Sequence, residues 1–116
     1  MGTPNATKEA AALAITALGD RISAHTGDPG TTGANEATGG SPAYARKQTT
    51  WTGGSSDGSV PGSQIEWDVP AGTYSHFGVW SAGGTFIIGY AMSSPATFVS
   101  QGKLQFTPTV DVTAAT

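Results

Sequence analysis

Cysteine is absent from this 116-residue chain. That excludes disulfides, thiolate nucleophiles and cysteine-based zinc sites. Charge is scarce too: only 11% of residues are Asp, Glu, Lys or Arg, against roughly 25% in an average domain. The five basic residues, Lys8, Arg21, Arg46, Lys47 and Lys103, are scattered, so there is no basic footprint for a nucleic-acid partner. No apolar run approaches the ~20 residues that span a bilayer, which leaves no membrane partner. The N-terminus also lacks the basic segment and apolar core of a signal peptide. The expectation is a soluble protein not exported by that route, with a low-charge surface suited to repeated contacts.

What the chain does have is glycine, 17 residues of it, punctuating short segments of regular pattern. A length of 116 fits one domain, residues 1–116. Residues 4–19 read as its single helix. Thr3 is the expected N-cap and Pro4 the first helical residue. Glu9 follows within the next two turns. Ala10, Leu13, Ala14, Ala17 and Leu18 form a narrow apolar stripe, and Gly19 stops the helix. The stripe is alanine-rich, so the helix is expected to lie close against a sheet or a neighbouring subunit.

From about residue 21 to 113 the pattern is β. Ile22, Ala24 and Thr26 alternate with Arg21, Ser23 and His25. Ala43–Trp51 alternates again, rich in β-branched and aromatic residues. "IEWDV" places Ile65, Trp67 and Val69 on one face and Glu66 and Asp68 on the other, the clearest strand signal in the chain. "YSHFGVW" and "TFIIGYAM" flank a glycine hairpin turn, and the near-continuous hydrophobicity of the second suggests a central strand. One or two strands close the chain around Gly102, with Pro108 marking an edge or bulge beyond Phe106. Gly27–Pro42 and Thr52–Gln64 read as polar loops; the second is the candidate interface arm. The expected fold is mainly β: an antiparallel β-sandwich or small barrel with one N-terminal α-helix.

Few constellations invite chemistry. His25, Asp28 and Glu36, with His76, could in principle surround a divalent metal, but their spacing matches no ligand pattern. The simpler expectation is that His25 ends a strand, Asp28 and Pro29 start a turn, and Glu36 is solvated. Ser75 neighbours His76, yet adjacent strand residues point to opposite faces and should not pair as nucleophile and base. His76 shares its face with Tyr74 and Trp80, which favours a packed histidine. No Gly-x-Ser-x-Gly elbow occurs. Glu66 and Asp68 share a face expected to be solvated. "GDPGTTG" lacks the lysine of a phosphate-binding loop. Trp51, Trp67 and Trp80 could stack on sugars, but Trp67 and Trp80 read as core. The expectation is no enzyme, with no catalytic, cofactor-binding or metal residues and no cofactor.

Three separated stretches carry a resemblance. "ISAHTGDPGTTGANEATGGSPAYARKQ", "VPAGTYSHFGVWSAGGTFIIGYAM" and "GKLQF" occur in order, and together they resemble a family of small tailed-phage structural proteins, often from phages of actinobacteria. These are labelled minor capsid, minor tail or tail-fibre proteins. The likeness spans about Leu13 to Val112, with departures at Ala24 and Ile88, where relatives often carry Leu or Trp. It implies a virion component, assembled in the host cytoplasm, with no catalytic residues to carry over. Capsid decoration is the first expectation: homo-oligomers, with trimers a common form, bind the lattice of the major capsid protein and stabilise the assembled head by mass action. The alternative is a minor tail or tail-fibre component, with tail proteins as partners and host surface glycans as contacts.

Overall fold

The computed structural model describes residues 4–53 and 58–112. Among them are one helix, α1 (Asn5–Leu18), and eight strands. The strands are β1 (Arg21–His25), β2 (Lys47–Gln48), β3 (Ser59–Pro61), β4 (Ile65–Val69), β5 (Gly72–Trp80), β6 (Phe86–Phe98), β7 (Gly102–Phe106) and β8 (Thr109–Asp111). A four-stranded sheet runs β2-β1-β5-β6, and two ribbons pair β3 with β8 and β4 with β7. Every pairing is antiparallel. The fold is mainly β and sandwich-like, not a closed barrel.

The core forms where the ribbons meet the main sheet. In β4, Ile65, Trp67 and Val69 are buried while Glu66 and Asp68 turn outward, as the alternation dictates. Trp67 stacks on Phe106 at 5.7 Å between ring centroids. Its indole N–H donates to the Ile22 carbonyl at 3.0 Å, so one side chain fills the core and ties the β4–β7 ribbon to β1. On the outer face Lys103 reaches Asp68 at 2.7 Å and Glu66 at 3.8 Å. The hydrogen bond to Asp68 raises the Lys103 pKa.

The helix begins at its Pro4 N-cap, whose carbonyl accepts from the N–H groups of Thr7 and Lys8; the expected cap, Thr3, lies outside the described residues. The buried face is not the expected one. Glu9, Ala12 and Thr16 turn inward, whereas Leu13 and Leu18 are 42% and 62% exposed. The reason is a contact from far along the chain. Glu9 accepts a hydrogen bond from the Gly58 N–H at 3.2 Å, and the small side chain of Ala12 lets the helix approach. Gly19 does stop the helix, but in extended backbone. A side chain there would collide with the Trp80 backbone and with Ile87.

Three further expectations need correcting. Ala43–Trp51 is a strand only at Lys47–Gln48, because Tyr44 and Arg46 are drawn into side-chain bonds described below. β6 is an edge strand, not a central one. Its apolar run reflects cover on both faces: Tyr90 stacks on Phe77, and the Pro29 ring packs over Gly89. The Thr52–Gln64 segment is not simply a loop. It contains β3, with Val60 fully buried, while residues 54–57 lie outside the described part.

Candidate functional site

A carboxylate, hydroxyls and aromatic rings come together around His25 and again beside β6. The first is built on the outer face of β1 and β5. Ile22 and Ala24 point to the core, so Ser23 and His25 point away from it, yet both are fully buried. The cover is the 26–46 segment. It is tied to β1 by an antiparallel bridge between His25 and Glu36 and by hydrogen bonds from Thr26 N to Asn35 O and from Ala37 N to Ala24 O.

Beneath that cover the hydrogen bonds form a directed chain. The Ala34 carbonyl can only accept, so His25 Nδ1, 2.7 Å away, carries the ring hydrogen. Nε2 of the neutral ring then accepts from the Ser23 hydroxyl at 2.6 Å, and Ser23 Oγ accepts from the Trp80 indole N–H at 2.7 Å. Gly78 faces this pair across the sheet. A Cβ there would lie 2.7 Å from Ser23 Oγ and 2.9 Å from His25 Nε2, so glycine is what leaves room for them. Burial lowers the His25 pKa, partly opposed by the Ala34 bond and the Glu36 charge and reinforced by His76 and Arg46.

The rim of the cover is an ion pair. Arg46 grips Glu36 through two bonds of 2.9 Å and lies 3.5 Å over the Trp80 ring. The Tyr44 hydroxyl donates to Glu36 at 3.0 Å and accepts the Ala24 N–H at 2.9 Å. Burial raises the Tyr44 pKa, and the bond to Glu36 raises that of Arg46. Glu36 is therefore held, not solvated as expected.

This cluster has the composition of a Ser-His site but not its access. Ser23 is sealed, and both nitrogens of His25 are engaged. His25, Asp28, Glu36 and His76, weighed above as metal ligands, do not form a metal group: among the described residues no three or more candidate ligands come together. Asp28 is spent on a turn, accepting from the Gly30 N–H at 2.9 Å. Ser75 and His76 contradict the expectation that they cannot meet. The register shift in β5 between Tyr74 and His76 twists the strand, and Ser75 Oγ lies 2.8 Å from His76 Nδ1. No carboxylate orients this histidine among the described residues, so the triad logic stops at two members. Trp67 and Trp80 are buried and Trp51 donates to the Gly19 carbonyl, so the three tryptophans form no exposed platform.

The second place is open. A cleft of about 420 Å³ lies between β6 and the β7–β8 segment, lined by Phe77, Tyr90, Ser93, Phe106, Thr109 and Asp111 among others. Phe77 stacks with Tyr90 at 5.4 Å and meets Phe106 at 4.9 Å. The Asp111 backbone bonds the Tyr90 hydroxyl, and burial raises the Tyr90 pKa. These residues come from three segments distant in sequence, β5, β6 and residues 106–111, and only the pairing and packing of those strands joins them. The sequence reading missed them for that reason.

Fold and geometry thus describe an antiparallel β domain whose most elaborate polar cluster serves packing. The comparison with protein families is specific. The chain belongs to the family described as podophage GP4 fiber I protein gp80, which it matches over residues 9–113. It is a phage structural protein and a component of the virion. Neither the curated proteins nor the solved structures hold a match to the chain. No helix among the described residues is long and apolar enough to cross a membrane.

Proposed function

We propose that this protein is a non-enzymatic component of the phage tail-fibre apparatus, present in several copies and contacting glycans of the host surface. The observation that carries the reading is the family match, which extends over nearly the whole chain and names a fibre protein. It favours the tail reading over the capsid-decoration reading that the sequence put first. The geometry is compatible with a structural role. The Ser23–His25 pair is sealed and saturated, and Ser75–His76 lacks an orienting acid among the described residues. Self-association is part of the proposal: Leu13 and Leu18 stand on the outward face of α1, where a second surface would remove them from water.

The test is to separate tailless heads from tails and count the protein in each by quantitative mass spectrometry. A few copies per tail, with none on heads, is the expected result. Hundreds of copies on heads would overturn the fibre reading and restore decoration of the capsid lattice.

A further inference from the structure

The closed cluster under the 26–46 segment satisfies its own polar groups. The cleft beside β6 does not. Its floor is three aromatic rings, Phe77, Tyr90 and Phe106, in mutual contact. Phe77 is buried while Tyr90 and Phe106 are half-exposed, so the floor presents apolar ring surface to whatever enters. The walls carry the hydroxyls of Ser93 and Thr109 and the carboxylate of Asp111. Among the described residues none of these side chains makes a hydrogen bond or ion pair. A volume of about 420 Å³ is within the range of small-molecule sites.

Charge narrows the ligand. Among the described residues the cleft lining contains one carboxylate and no Lys, Arg or His. A phosphate or an acidic sugar would meet a like charge with nothing to neutralise it. A neutral sugar meets no such penalty: its hydroxyls donate to the carboxylate in charge-assisted bonds, and the C–H face of its ring lies on the aromatic floor. We propose that the cleft formed by Tyr90, Phe106, Ser93, Thr109 and Asp111 binds a neutral pyranose. The sugar's apolar face rests on Tyr90 and Phe106, and Asp111 accepts from two of its hydroxyls. The inference rests on the fibre reading for its biological setting, and it supplies the residues and ligand class that reading leaves open.

The test is a titration of the ¹⁵N-labelled full chain with glucose, galactose, mannose and N-acetylglucosamine, with glucuronic acid as the acidic comparator. At least one neutral sugar should shift the amides of Tyr90–Ser93 and Thr107–Asp111, and bind at least tenfold tighter than glucuronic acid. Asp111→Asn should weaken that binding about tenfold, and Thr109→Val by a smaller factor. Asp111 is exposed and Thr109 half-exposed, so the variants should fold as the parent does. Shifts confined to another surface, or binding unchanged in both variants, would overturn the assignment. So would a complete lack of response to all four neutral sugars. Head and tail counting separates the two readings: protein on tails with no response at the cleft sinks the sugar site alone, while protein on heads with sugar at the cleft sinks the fibre reading alone.

Discussion

The cluster around His25 and the cleft beside β6 are made of the same materials and end up doing opposite things. Each has a carboxylate, hydroxyls and aromatic rings. In the cluster Glu36 is gripped by Arg46 and Tyr44, Ser23 is held between His25 and Trp80, and the 26–46 segment excludes water. In the cleft Asp111 and Thr109 face outward over an aromatic floor. Residue types alone do not separate a structural site from a binding site. What separates them is whether the polar groups have found partners within the chain: a buried group without a partner costs free energy, whereas an exposed one remains available to a ligand.

Variants can break this contrast, and the largest effect should come from Gly78→Val. A branched side chain would be forced into the space occupied by Ser23 and His25. Overpacking together with a broken buried hydrogen bond should cost about 3 kcal/mol, read as a lower urea midpoint. Glu36→Ala strips Arg46 and Tyr44 of their shared acceptor and should cost about 2 kcal/mol, by the same measurement.

Next in size is a pH effect. His25 has a depressed pKa when folded, so the unfolded chain takes up the proton first as the medium acidifies. The contribution is fully present above the ordinary value near 6.5 and is lost as pH falls toward and through the folded value. Urea midpoints from pH 8 to pH 5 should therefore decline on the acid side, and a His25→Asn variant should show a shallower decline. The smallest effect belongs to the cleft. Asp111→Asn should move stability by less than about 0.5 kcal/mol, as surface changes do; a loss near 2 kcal/mol would mean that Asp111 is structural and that the contrast is false.

Much of the fold was legible because period-two alternation carries it. Ile65, Trp67 and Val69 needed only their pattern to be assigned to the core, and Pro108 marked the end of β7. The failures share a cause: cover supplied by distant residues. The more apolar stripe of the helix turns outward, and the face of Glu9, Ala12 and Thr16 is chosen instead because Glu9 accepts a bond from Gly58, far away in sequence. The hydrophobic run of β6 resembles a central strand because Pro29 and Phe77 cover its two faces, which is independent of strand order. The tie between Glu36 and Arg46 is ten residues long and carries no periodic signal. The cleft was illegible because its residues lie on β5, β6 and the 106–111 segment, which only the fold brings together. Ser75 and His76 escaped because the alternation rule assumes a strand without a register shift.

The most direct test of the account compares the two regions in one assay: binding of the purified protein to host cells, set beside the unfolding midpoint of each variant. The account predicts that Asp111→Asn keeps the parent midpoint and loses about tenfold in cell binding. It predicts that Glu36→Gln lowers the midpoint but, at a temperature where it is still folded, binds cells as the parent does. If Glu36→Gln abolished binding while folded, and Asp111→Asn left it intact, the functional surface would be the 26–46 cover and the account would be wrong.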